Sequence, residues 1–259
     1  MIPLGDNLPT LRRPVVTLSV IGVTSAVWLL GQGAGLNEVA LATSVCNFGL
    51  VPGELTGQAA LGFAVPIADG LTCNVDNESI NVLTPVISIF LHGSWAHIIG
   101  NMLFLFVFGN NVEDSMGHFR FLVFYLLCGI TAAAAHVLLN PASPVPTVGA
   151  SGAISGVMGA YLLLYPRARI KMLFIFLIFF KVFRIQAWIV LIWWFLLQVV
   201  TGLPELISVR SDISGGVAVW AHVGGFLAGA FMIRLFADPA LVAAHRQAYG
   251  IEHGYGWRG

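Results

Sequence analysis

The chain has 259 residues, with 12 basic and 12 acidic side chains and no formal net charge; apolar residues make up 58% and charged residues 9%. A mean hydropathy of +0.87 excludes an ordinary soluble domain, whose surface carries far more charge. The neutral balance and the lack of a basic patch facing water give no reason to expect nucleic acid as a partner.

Charge is segregated along the chain. No Asp, Glu, Lys or Arg occurs in residues 14–37, 79–112, 121–166, 185–204 or 213–233. A helical span needs about 20 apolar residues, so four of these stretches hold one span each. The third holds two, divided by Asn140-Pro-Ala-Ser-Pro-Val-Pro146. The expected fold is an all-α membrane protein, a bundle of six transmembrane helices at about 14–31, 94–111, 119–139, 150–165, 185–202 and 217–236. Basic residues orient it. With both termini cytoplasmic, Arg12, Arg13, Arg120, Arg167, Arg169, Lys171, Lys181, Arg184, Arg234, Arg246 and Arg258 fall inside, and only Arg210 falls outside.

In chain order, residues 1–13 are a cytoplasmic tail and 14–237 the membrane domain. Arg12-Arg13 before an apolar run also fits a signal peptide. Gly31-Gln-Gly-Ala-Gly35 is a poor cleavage site, however, and Trp28 suits an interfacial anchor, so the first span is read as retained. Residues 32–93 form a long outer loop with Glu38, Glu54, Asp69, Asp76 and Glu78 but no Lys or Arg. Its Leu55, Leu61, Phe63 and Ile67 suggest a segment lying partly in the membrane interface, and loops of this length are usually functional or disordered. Cys46 and Cys73 both fall here, and either a disulfide, in an oxidising compartment, or two free thiols fits them. Val112 to His118 reads as a tight inner turn. Met172 to Phe180 is apolar but too short to span, which suggests an interfacial or re-entrant piece. Residues 203–216 form an outer loop, and the polar tail 238–259 is expected to be loose. No internal repeat of the kind many transporters carry is present.

Polar groups inside a membrane are costly and are candidates for function. Spans 2, 4 and 6 run in the same direction, so His97 with Asn101, Ser151 and His222 reach one similar depth near the outer surface. Spans 4 and 6 carry small-residue stripes, Gly152, Gly156 and Gly159 on one and Gly225 and Gly229 on the other, and such spacing lets helix backbones approach closely. His222 shares its stripe with Gly225 and Gly229, so packing the stripes brings it toward Ser151. A serine hydroxyl needs such a base to become a nucleophile. His97 and Asn101 share a helix face, and with the Ser151 backbone N–H they could donate to an oxyanion. The competing readings are that Ser151 is a helix cap, that Ser155 is the nucleophile, that the glycine stripes serve packing alone, or that His92, His97 and His222 bind metal. No HExxH pattern or carboxylate at their depth supports the last, and no metal or cofactor is expected. His136 reads as structural.

His92-Gly-Ser-Trp-Ala-His97-Ile-Ile-Gly-Asn101, Gly149-Ala-Ser151-Gly152 and Ala221-His222-Val-Gly-Gly225 resemble, in order and spacing, the motifs of the rhomboid intramembrane serine proteases. The resemblance covers about residues 80–237, and Val112-Glu113 with Gly117 fits the family's turn after span 2. It implies a six-helix rhomboid-like bundle around a water-filled cavity. It implies a Ser151–His222 dyad without an acidic third member, an oxyanion hole at His97 and Asn101, and single-pass transmembrane proteins as substrates in a lipid bilayer. A bacterial inner (plasma) membrane, with the site facing outward, would suit it. The chain departs from the family's usual pattern in one respect: its first outer loop has no Trp-Arg pair and no Arg at all. Two other classes remain to be told apart, a non-catalytic protein that binds transmembrane helices and a small-solute transporter.

Overall fold

The computed structural model describes residues 2–8, 10–68, 70–176, 179–207 and 218–248. Most of the loop at 203–216, with Arg210, and the end of the chain, with Arg258, lie outside these residues. Three helices are long and apolar enough to cross a membrane: α5 (Trp95–Met116), α6 (His118–Leu139) and α9 (Val219–Phe236). Shorter apolar helical stretches cover Val15–Gly31, Ser79–Phe90, Ser151–Leu164 and Ala187–Leu203. They contain α1 (Val15–Ala26), the single turn α4 (Thr84–Ile87), α7 (Ser151–Leu164) and the first part of α8 (Ala187–Ile207). Each predicted span therefore coincides with a helix. Side chains of α5, α6 and α7, among them Leu105, Phe108, Phe121, Tyr125, Val157 and Tyr161, fill a core from which water is excluded.

Helix α1 begins after Pro14 with no side-chain cap of its own. Its cap comes from α5: Glu113 accepts the backbone N–H groups of Val16 at 2.9 Å and Thr17 at 2.8 Å, and the Thr17 hydroxyl at 2.7 Å. A carboxylate there satisfies donors that every helix start leaves open and suits the dipole. The next residue, Asp114, accepts from the Leu11 N–H and the Arg12 side chain. Helix α5 thus runs on to Met116, through most of the segment expected to be a turn, and the reversal occurs at Gly117.

Several expectations are corrected. The all-helical prediction misses two small sheets. Strands β1 (Ile2–Gly5), β4 (Arg169–Phe176) and β5 (Phe179–Gln186) form one, in the order β1-β4-β5, and β2 (Ala64–Ala68) pairs with β3 (Leu71–Asn74) in the other. The piece read as interfacial or re-entrant is the β4–β5 hairpin, whose buried Ile170 and Met172 alternate with exposed Arg169 and Lys171, the period-two pattern of a half-covered strand. The first tail supplies β1, and its Asp6 accepts from Asn111 Nδ2 at 2.8 Å and the Tyr161 hydroxyl at 2.5 Å. Burial raises the Asp6 carboxyl above its ordinary range, against the lowering effect of these donors. The tail as far as Ala248 is not loose: α10 (Pro239–Ala248) packs on α5 through the fully buried His245, 3.3 Å from Asn111 Oδ1, while 249–259 lie outside the described residues. Trp28 is buried, edge-on to Trp95, in a π-helical turn that ends the first apolar stretch.

The long loop is built. It holds α2 (Glu38–Phe48), α3 (Pro52–Thr56) and the β2–β3 hairpin, and a Cys46–Cys73 disulfide ties α2 to β3. Closing a loop of 27 residues stabilises by about 3.5 kcal/mol in the chain-entropy model. Cys73→Ser should therefore speed amide exchange at Thr72 to Val75 by about two orders of magnitude, while α6 exchanges as before. Unchanged exchange in β3 would mean that packing alone holds the hairpin.

Candidate active site

The site begins at a close helix crossing. A Cβ on Gly225 would lie 2.1 Å from the Gly152 carbonyl oxygen, and one on Gly229 would lie 1.9 Å from that of Gly156. Helices α7 and α9 thus touch backbone to backbone, as their small-residue stripes require. That contact brings the start of α7 against the first turns of α9. Ser151 is the first residue of α7 and His222 the fourth of α9. Ser151 Oγ lies 2.7 Å from His222 Nε2.

Ser151 is not the helix cap, since Ala150 occupies that position. Its rival Ser155 is buried one turn on and donates to the Ser151 carbonyl oxygen at 2.6 Å, so its hydroxyl is engaged away from His222. The turn before α7 is held on two sides. Leu50 and Thr147 exchange backbone hydrogen bonds, and the Gly149 N–H donates to the Ser88 carbonyl at 2.9 Å. Gly149 has φ 131°, where a side chain is strained. A Cβ there would also meet the His97 ring at 2.8 Å. Gly149, expected from the sequence to serve helix packing at the site, lies instead in the loop before α7, and its bareness is what admits His97.

A cavity of about 650 Å³ is lined by Ser151, His222, His97, Asn101, Ser155 and Trp194, among others. Asn101 Nδ2 lies 2.9 Å from His92 Nε2, which leaves its second N–H free to donate elsewhere. His92 is itself clamped. The Gln32 side chain accepts its backbone N–H and donates to its carbonyl, both at 2.9 Å. The His92 and His97 rings meet edge to face, 4.9 Å between centroids. Among the described residues no group of three His, Cys, Asp or Glu side chains is arranged to hold a metal ion. His136 bonds the Thr147 hydroxyl at 3.2 Å and steadies the same loop.

Two residues escaped the sequence reading. Gln32 closes the clamp on His92 from 60 positions away. Gln198 Oε1, on α8, lies 2.8 Å from His222 Nδ1. An amide in a charge-free stretch was the available signal for both, Gln32 within 14–37 and Gln198 within 185–204.

A family model described as Rhomboid domain matches residues 79–239. The chain belongs to the rhomboid family. The match runs from the turns before α4 to the start of α10, so α1 and the disulfide-tied loop lie outside it. Three rhomboid relatives give the range of similarity. The chain is 44% identical over 81 residues to the rhomboid protease GluP of Bacillus subtilis, which is 31% of this chain and 15% of that protein. It is 39% identical over 72 residues to the chloroplastic rhomboid-like protein 11 of Arabidopsis thaliana, 28% of this chain and 25% of the relative. It is 28% identical over 159 residues to the mitochondrial presenilin-associated rhomboid-like protein A of Danio rerio, 58% of this chain and 37% of the relative. The matched stretch thus spans well under half of each. Rhomboid membership and the apolar helices make this an integral membrane protein and support intramembrane proteolysis at the level of the family, which also includes non-catalytic members.

Proposed function

We propose that this rhomboid is an intramembrane serine endopeptidase that cleaves transmembrane segments of single-pass proteins. The observation that carries the reading is the 2.7 Å contact between Ser151 Oγ and His222 Nε2, on the wall of a cavity that His97 and Asn101 also line. In this reading helices α1, α5, α6, α7, α8 and α9 all cross the bilayer, of a bacterial plasma membrane. Both termini are cytoplasmic and the cavity faces outward, as the distribution of basic residues favours. Residues 14–237 are the membrane domain, flanked by the cytoplasmic segments 1–13 and 238–259.

Ser151 Oγ attacks the scissile carbonyl as His222 Nε2 takes its proton, forming a tetrahedral oxyanion. His97, the free Asn101 N–H and the Ser151 backbone N–H donate to that oxygen; one such donor is typically worth about 100- to 1,000-fold in rate. His222 then protonates the leaving amine and activates the water that hydrolyses the acyl-enzyme.

The test is labelling of the detergent-solubilised protein by a fluorophosphonate probe. Wild type and Ser155→Ala should label, and Ser151→Ala and His222→Ala should not. Absence of label on folded wild type, beside an active rhomboid that does label, would leave a non-catalytic binder of transmembrane helices as the better reading.

A further inference from the structure

Helix α8 presents two side chains to His222. Trp194 and Gln198 stand one turn apart on the same face. The Trp194 ring lies over the imidazole, with 5.8 Å between centroids and 39° between planes. Gln198 Oε1 lies 2.8 Å from Nδ1, and Ser151 Oγ lies 2.7 Å from Nε2, the nitrogen across the ring.

An amide oxygen only accepts hydrogen bonds, and a neutral imidazole carries a single N–H. With Gln198 Oε1 against Nδ1, the ring proton sits on Nδ1. The Nε2 lone pair is then left for the Ser151 hydroxyl. We propose that Gln198 is a positioning residue of this site, holding His222 in the tautomer and ring plane from which Nε2 can act as base toward Ser151. The inference rests on the reading of Ser151 and His222 as nucleophile and base.

Chemistry favours an amide here. Among the described residues no Asp or Glu bonds His222, and a lone carboxylate at this depth would be expensive to bury. A neutral acceptor orients the ring without that cost. With the acceptor gone, the Nε2–H tautomer becomes populated. In that form Nε2 has no lone pair in the ring plane, and the serine proton has nowhere to go. The buried Nδ1–H would also lose the partner it has among the described residues.

The experiment compares wild type with Gln198→Leu, which keeps the bulk and removes the acceptor, and Gln198→Glu, which retains an acceptor oxygen, all in the full chain. On a transmembrane substrate, Gln198→Leu should lower kcat about 10- to 100-fold, short of the full worth of a general base, with KM within about twofold. Gln198→Glu should recover most of the loss. Nitrogen NMR of labelled imidazole gives the second readout, with His222 identified among the seven histidines by its loss in His222→Ala. Wild type should carry the proton on Nδ1, and Gln198→Leu should show both tautomers.

A Gln198→Leu protein with wild-type kcat, or a wild-type His222 protonated on Nε2, would overturn the proposal. Failure of the dyad reading looks different: wild type would not react with the fluorophosphonate, while the NMR comparison would still report whether Gln198 sets the tautomer.

Discussion

Replacing His222 by alanine should slow cleavage of a transmembrane substrate on the order of 10⁴- to 10⁶-fold, and Ser151→Ala should do the same. The double replacement should be no slower than either single one. Ser151 Oγ and His222 Nε2 share one hydrogen bond of 2.7 Å, and in the proposed mechanism the base has value only through the serine it deprotonates. Groups that act as a unit lose their whole contribution once, so the two effects do not multiply. What survives is the effect of binding and of the oxyanion donors, common to all three variants. Long-time accumulation of cleavage fragments measures it. Further loss in the double variant would mean that the two residues act in separate steps, and the proposed pairing would be wrong.

Gly229→Ala should lose activity about 100-fold and lower the melting temperature, although position 229 never touches substrate. The new methyl would stand 1.9 Å from the Gly156 carbonyl oxygen, where about 3.5 Å is the comfortable separation. Backbone cannot rotate aside as a side chain can, so α7 and α9 must separate by an ångström or more. Overpacking of this kind typically costs about 1 to 3 kcal/mol, and a misplacement of about 1 Å between reacting groups costs on the order of 100-fold in rate. Gly225→Ala, facing Gly152 at 2.1 Å, should behave alike. Gly22→Ala is the control, because a methyl there meets nothing within 4 Å. A Gly229→Ala protein with wild-type stability and turnover would mean that the crossing is looser than its geometry.

Most of the site was legible in the sequence because of where polar groups are scarce. In stretches free of charge, Ser151, His222, His97 and Asn101 stand out, helix direction gives their depth, and glycine spacing says which faces meet. The rest depended on contacts that no local pattern encodes. Gln198 matters only because α8 is rotated to aim it at His222, and several rotations would bury that helix equally well. The Gln32 clamp on His92 joins two chain reversals whose geometry neither segment fixes alone. The β4–β5 hairpin was misread because nine apolar residues between lysines were judged by length, when the alternation of Ile170 and Met172 with Arg169 and Lys171 was the better guide. Strand β1 finds β4 across some 170 residues, and α10 depends on His245 reaching Asn111, 134 positions back.

The chain order of the crossing helices also sets a clock on biosynthesis. Ser151 is made 71 residues before His222, which at translation rates of 5 to 20 residues per second is about 4 to 14 seconds. Through that interval the glycines of α7 meet Ala132 and Cys128 of α6 but not yet α9, and Ser151 lacks the imidazole of His222. If Ser151 and His222 act as proposed, the newborn protein is chemically silent while its earlier helices insert. The 2.7 Å contact needs α9 in place, so on the proposed reading docking of α9 and arming of the serine are one event.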